Sequence, residues 1–277
     1  MTAGEYVRIL AGRLKKAEIQ SYRLDAELLV SHVLGIPPMR LLIDNRHVIP
    51  EDQIKTLEAL TVRREKREPL AYITGTKEFY SLDFSVNPDV LIPRPESEFV
   101  VEAAVRHAPR NGRVLDICTG SGAIAVAFKH ERPDCTVSAA DISERALATA
   151  EENARRILGP DAMVSFYVSD LFARLDDNYD IITANPPYIP IKERQFLQAE
   201  VLYEPELALF AEADGLAVIR RILEEAPLYL TESGMIIMEI HSAKHSEMQS
   251  LADEYRYNIE FINDYARMPR VALLKRK

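Results

Sequence analysis

From Arg113 to its end the sequence alternates short apolar runs with amphipathic ones, and few folds can accept that pattern. "RVLDIC" reads as a buried strand and "TGSGAIAVAFKHE" as a glycine turn entering a helix. "CTVSAAD" reads as a strand, "SERALATAEENARRIL" as a helix, and "MVSFYVSD" and "YDIITAN" as further strands. "LAVIRRILEEAPLYL" reads as a helix, and "GMIIMEI", "NIEFIND" and "VALLKR" as three more strands. Strands apolar at nearly every position are buried on both faces, and strand–helix alternation covers both faces of a mostly parallel sheet. The expectation is an α/β protein built on a doubly wound, mostly parallel sheet of seven strands.

The N-terminal part has a different period. "YVRILAGRLKKA", "LDAELLVSHVLG" and "EDQIKTLEALTVRREKRE" repeat apolar residues every three or four positions, the mark of helices with one buried face. Gly35 supplies a stop for the second. "AYITGTKEFYSLDFSVNPD" is rich in aromatic and β-branched residues between turn signals, which suggests a β-hairpin. A helix should start near Ser97. The 277 residues allow two domains. The expected division is a helical domain over 1–72, a bridging hairpin over 73–90 and an α/β domain over 91–277.

The sheet has a ligand end. In doubly wound sheets ligands bind outside the carboxyl ends of the strands. "VLDICTGSG" runs from a strand into glycines that let backbone approach a ligand, and it is not the GxGxxG dinucleotide fingerprint. Asp116 suits an amine-bearing or cationic ligand better than a phosphate. Asp141, ending the second strand, is placed to accept hydrogen bonds from two ribose hydroxyls. Asp170 and Leu171, ending the third, would meet an adenine amino group and ring face. Together these favour S-adenosyl-L-methionine over the plainer readings, a nucleotide site or a structural turn. Asp170 also reads as a simple cap of the next segment.

The fourth strand runs into Asn185, Pro186, Pro187 and Tyr188. A planar nitrogen attacks a methylsulfonium only when its delocalised lone pair is freed and aimed. The Asn185 side-chain carbonyl and the Pro186 backbone carbonyl can each accept one N–H, the prolines fix φ and add no donor, and Tyr188 can stack on the planar group. Positioning and electrostatics are then the main tasks. The plain alternative is a rigid structural turn.

With these residues in hand, the chain resembles the peptide chain release factor glutamine N5-methyltransferases. The likeness runs through "EPLAYITGTKEFYSLDFSVNPDVLIPRPESE", "VLDICTGSGAIAVA", "NPPYIP" and "YEPELALFAEADGL". It implies a helical domain that recognises the release factor, and methyl transfer to the glutamine of a Gly-Gly-Gln tip, with S-adenosyl-L-homocysteine as product. By the same resemblance Asp116, Cys118, Thr119, Gly120, Ser121, Gly122, Asp141, Asp170, Leu171 and Asn185 bind the cofactor, and Asn185 to Tyr188 hold the glutamine amide. Cys118 departs from the family's usual glycine and should turn away from the methionine moiety, as a small buried apolar side chain. Leu171 stands where some members have tryptophan. His241 and "DYARMPR" replace glycine-containing stretches and are expected to lie away from the site.

Other features are weighed against blander roles. His241 and His245 are an exposed pair rather than metal ligands, and no metal site is expected. "RREKRE", 63–68, reads first as a solvated face and second as a contact for the release factor. Arg94 reads either as a brace of the crevice wall or as structural, and "YEPELALFAEADGL" as a lid or a packed connector. Two cysteines outside any CxxC pair argue against a disulfide framework. No apolar run reaches the ~18 residues a membrane span needs. The expected protein is cytoplasmic and works as a monomer. A net charge of −9 argues against stable nucleic-acid binding, so methylation of adenine N6 or guanine N2 in nucleic acid is the second reading. A binding module without activity is the third.

Overall fold

The computed structural model describes residues 1–43, 46–160, 163–212 and 214–277. They group into two compact units, residues 1–75 with 198–203, and residues 76–197 with 204–277. In the first unit the helices are α1 (Ala3–Lys16), α2 (Tyr22–Leu34), α3 (Pro38–Ile43), α4 (Glu51–Glu65) and α5 (Leu70–Thr74). Thr2 and Glu5 close a capping box on α1, and Gly35 ends α2 in the left-handed region at φ 64°. Tyr6, Leu10 and Leu14, one helical turn apart, are buried with Leu29, Val30 and Leu57. Each such side chain contributes roughly 1.5–3 kcal/mol on burial.

The charge run at the end of α4 is not a solvated face. Arg64 is 4% exposed and donates to Asp25 Oδ2 at 2.7 Å and to Glu200 Oε1 at 3.1 Å. Arg67 donates to the other Glu200 oxygen at 2.9 Å, and Arg63 forks onto Glu68. A guanidinium whose donors are taken inside its own unit has few left for water or a partner. The run ties residues 198–203 to the helices.

The second unit opens with an antiparallel hairpin, β1 (Thr76–Phe79) and β2 (Leu82–Ser85). Asn153 exchanges two hydrogen bonds with the Ser85 backbone, at 2.7 and 3.0 Å, and holds the hairpin to the helix that carries it. Then follow α6 (Glu98–His107), β3 (Arg113–Ile117), α7 (Ala123–Glu131), β4 (Thr136–Asp141), α8 (Glu144–Leu158), β5 (Val164–Val168), β6 (Tyr179–Ala184) and the two-residue β7 (Ile189–Pro190). The chain continues with α9 (Glu206–Leu209), β8 (Phe210–Ala211), α10 (Ala217–Glu225), β9 (Leu230–Glu239), α11 (His245–Glu254), β10 (Tyr257–Asn263) and β11 (Pro269–Arg276).

Seven of these strands form one sheet in the order β10-β11-β9-β6-β3-β4-β5. Six of them run in one direction, and β11 runs opposite to them, between β10 and β9. Neighbouring residues of one strand serve opposite cores. Leu115 and Ile117 face the layer of α10 and α11, while Val114 faces the layer of α6 and α7. That two-sided burial is why the strand sequences show no polar alternation. Two elements differ from expectation. The helix expected to reach residue 230 stops at Glu225, because Pro227 has no N–H to continue it and a 3-10 turn follows. The strand expected to begin at Gly234 begins at Leu230. It passes Tyr179 through a register shift, where a Cβ on Gly234 would lie 2.9 Å from the Tyr179 carbonyl oxygen. The strand order reverses between β3 and β6, which leaves a crevice at their carboxyl ends.

Candidate active site

The loop after β3 turns back on itself through three residues at positive φ, Cys118 at 56°, Gly120 at 55° and Gly122 at 78°. Thr119 N–H donates to the Ala140 carbonyl, and Gly122 caps the start of α7. A Cβ on Gly120 would meet nothing within 4 Å, so the loop borders open space there. On Gly122 it would press on Ala150 at 3.0 Å. Glycine at 122 therefore serves helix packing, and at 120 it leaves room for a ligand.

Asp116 is not where the sequence suggests. It is 1% exposed and lies beneath the cavity rather than on its wall. Thr119 Oγ1 donates to one of its oxygens at 2.6 Å and Thr183 Oγ1 to the other at 2.7 Å. Burial pushes its carboxyl up to about 6 against the pull of the two hydroxyls. Asp116 holds the loop in shape and does not face a cationic ligand directly.

The cavity beside this loop measures about 250 Å³. Its floor is Cys118 to Ser121, and its far wall carries Asp141, Ser169, Asp170 and Leu171. Each Asp141 oxygen accepts one backbone N–H, from Gly120 and from Ser143, both at 2.9 Å. A carboxylate oxygen can accept more than one hydrogen bond, so each keeps capacity for a ligand hydroxyl. Burial raises its carboxyl, and the backbone donors oppose that. Asp170 lies at the rim in an ion pair with Arg221, at 3.0 Å, and Leu171 is buried beside it. Arg221 itself lines the cavity, a residue sequence reasoning did not single out. Cys118 borders the cavity and packs against the core cluster of Leu115, Ile117 and Leu171. Burial and the nearby Asp141 and Asp116 carboxylates push its thiol well up, so it stays protonated.

Asn185 and Pro187 close the other end of the cavity. Pro186 is buried behind the turn, and neither it nor Tyr188 is part of the cavity wall. Asn185 Nδ2 donates to Ser97 Oγ at 3.1 Å. Ser97 Oγ donates in turn to Glu239 Oε2, and Tyr188 Oη donates to Glu239 Oε1 at 2.9 Å. Tyr188 is thus held by its hydroxyl. Glu239 is 1% exposed, and burial raises its carboxyl while Ser97, Tyr188 and the Arg270 cation oppose the rise. Sequence reasoning missed Ser97 and Glu239. The only local signal was a lone acid ending an otherwise apolar strand, "GMIIME".

The side walls are latched. Glu204 is buried, and it accepts from Arg94 Nη2 with one oxygen and from the Ile92 N–H, at 3.0 Å, with the other. Pro93 and Pro205, next to the two partners, both line the cavity. So Arg94 braces the wall, and Pro205, Leu207 and Ala208 of the "YEPELALF" stretch are part of that wall. Within "AEADGL", Ala213 lies outside the described residues. Gly215, at φ 85°, passes so close to the acceptor turn that a Cβ would sit 2.4 Å from the Tyr188 carbonyl oxygen. His241 is not remote from the site. Its ring stands edge-on to Tyr188 at 5.9 Å, because β9 delivers Glu239 and His241 together. Arg270, in "DYARMPR", pairs with Asp264, and its backbone carbonyl accepts from the Ile240 N–H. Among the described residues no group of His, Cys, Asp or Glu is arranged to hold a metal, and no helix is long and apolar enough to cross a membrane.

The arrangement offers a backbone loop and a carboxylate for a nucleoside at one end, and an oriented amide on a rigid turn at the other. Residues 5–75 match the family model described as PrmC N-terminal domain, and residues 96–209 match the Methyltransferase small domain. The Release factor glutamine methyltransferase of Neisseria gonorrhoeae is 38% identical over 257 residues, 91% of this chain and 93% of its own length. The protein of the same name from Geobacter sulfurreducens is 41% identical over 231 residues, 83% of this chain and 80% of its own. Among solved structures, a methyltransferase from Pyrococcus furiosus superposes with a TM-score of 0.54 at 16% identity, over 77% of this chain and 98% of that one. At that identity the likeness shows the fold alone.

Proposed function

The chain belongs to the release factor glutamine methyltransferase family, and on that premise we propose that it methylates the side-chain amide nitrogen of the glutamine in the Gly-Gly-Gln tip of a peptide chain release factor. The observation that carries the reading is the Asn185 amide. Its Nδ2 is committed to Ser97, which leaves the carbonyl end for a substrate N–H at the cavity's edge.

The cavity suits S-adenosyl-L-methionine. Gly120 leaves the backbone open, Asp141 keeps acceptor capacity for two ribose hydroxyls, and Leu171 offers an apolar face for a ring. Bound there, the cofactor would supply a methyl group already activated by the sulfonium. The remaining tasks fall to the protein. Asn185 Oδ1 accepts one amide N–H at the cavity wall, and the Pro186 carbonyl, in the turn behind that wall, would accept the other from a substrate that reaches it, which localises the nitrogen lone pair. The prolines hold the turn against recoil, and Pro187 and Leu207 limit water at the transfer point. The nitrogen loses its extra proton after transfer, so no strong base is required beforehand. In this reading the helical unit recognises the release factor, and a single chain acts in the cytoplasm. Base methylation is not favoured, since the chain carries a net charge of −9.

The test is methyl transfer from labelled S-adenosyl-L-methionine offered in parallel to intact release factor, to its tip-glutamine variant and to bulk nucleic acid. Label on the release factor that vanishes in the glutamine variant is the expected result. Label on nucleic acid alone would overturn the reading.

A further inference from the structure

We infer that Glu239 is a positioning residue that sets the hydrogen-bond polarity of the whole acceptor turn through Ser97 and Tyr188. The inference rests on the functional reading above and extends it to a residue outside the turn.

Around Glu239 the donors and acceptors can be counted. Taken as a carboxylate, Glu239 accepts on both oxygens, and an ionised carboxylate only accepts. Glu239 takes the single Ser97 hydroxyl proton on one oxygen and the Tyr188 phenol proton on the other. With its proton spent, Ser97 Oγ presents only lone pairs to Asn185. The Asn185 atom facing it must then be the donor, Nδ2, and the carbonyl Oδ1 must be the end left for the crevice. A substrate amide nitrogen brings N–H groups, so Oδ1 in that place attracts it and Nδ2 would repel it. One buried charge on β9 thereby decides which way an amide on the loop after β6 points. The same charge holds the Tyr188 ring by its hydroxyl. Asparagine alone cannot do this, because its two ends have nearly the same shape and only the network tells them apart.

The relay predicts its own inversion. In Glu239→Gln the new carbonyl can accept from Tyr188 while the new amide donates to Ser97. The Ser97 proton then turns to Asn185, which must offer Oδ1 inward and leave Nδ2 in the crevice. The expected kcat falls at least about tenfold, the loss of one well-placed hydrogen bond. The cofactor Kd should stay within about twofold, because no cofactor-side contact changes. In the double variant Glu239→Gln with Asn185→Asp, the Ser97 proton meets a carboxylate oxygen and the second oxygen faces the substrate as an acceptor. Asn185→Asp alone sets two carboxylates about a single serine and should be poor. The double variant should therefore exceed both single variants in kcat.

Kinetics of methyl transfer to intact release factor, with cofactor Kd by calorimetry, test the relay. A double variant at or below the product of the two single effects would overturn it, as would a Glu239→Gln enzyme with wild-type kcat. Should variants at 239 fail to fold, Ser97→Ala cuts the relay and leaves the carboxylate in place. It should lower kcat with the cofactor Kd held, and unchanged kcat there would overturn the inference. A wild-type enzyme inactive on the release factor would overturn the functional reading instead, so the two failures are distinguishable.

Discussion

The two ends of the cavity are built by different means. At the cofactor end, recognition comes from backbone: a loop bent by Gly120 and Gly122, held from below by Asp116, with Asp141 beside it. The loop, Asp116 and Asp141 all lie within one strand–turn–helix–strand stretch, 113–141, and the wall is completed by Ser169 to Leu171 and Arg221. At the acceptor end the turn itself is four residues long, but its polarity depends on Ser97, 88 positions before Asn185, and on Tyr188's partner Glu239, 51 positions after it. The difference teaches that a rigid backbone site can be encoded locally, whereas an oriented amide needs a proton inventory that only distant residues complete. The cofactor end should tolerate changes in side chains that do not bend the loop. The acceptor end should be sensitive to isosteric changes that move a single proton.

The comparison breaks most visibly at Asn185. Asn185→Ala should lower kcat about 10²-fold or more and leave cofactor affinity nearly intact. Asp141→Ala should do the reverse, weakening cofactor binding about 10- to 100-fold as the proposed acceptor of two ribose hydroxyls is lost and the Gly120 N–H loses its carboxylate partner. Calorimetry and steady-state rates on both variants, side by side, check the split, and a common effect on Kd and kcat in either would erase the distinction between the ends. Gly215→Ala probes how tightly the acceptor turn is clamped. Its φ of 85° and the approach to the Tyr188 carbonyl should cost roughly 1–3 kcal/mol in denaturant unfolding and lower kcat as the turn shifts. The smallest effect belongs to Cys118. Glycine at φ 56° removes the left-handed penalty, so Cys118→Gly should raise stability by about 1 kcal/mol in urea melts. A loss of stability would mean that the thiol's packing against the core outweighs the backbone strain.

How much of this was legible in the sequence follows from the range of each interaction. The seven strands, their buried character and the ligand end were readable, because strand burial and glycine turns are written in neighbouring residues. Asn185 to Tyr188 were readable as chemistry for the same reason. Asp116 was misplaced because sequence shows a carboxylate near glycines but not which way it points, and Thr183 on the next strand claims one of its oxygens. The 63–68 run was misread because Glu200, the acid that takes Arg64 and Arg67, is more than a hundred positions away. The place of His241 beside Tyr188 is not legible in the sequence, because nothing local relates the end of β9 to the turn after β6. The sequence by itself determined the sheet, its crevice and the residue types on its rim, through short-range periodicity and turn chemistry. Tertiary structure alone decided which polar atoms meet, and a buried carboxylate with one serine between it and an asparagine is what turns a list of groups into a directed site.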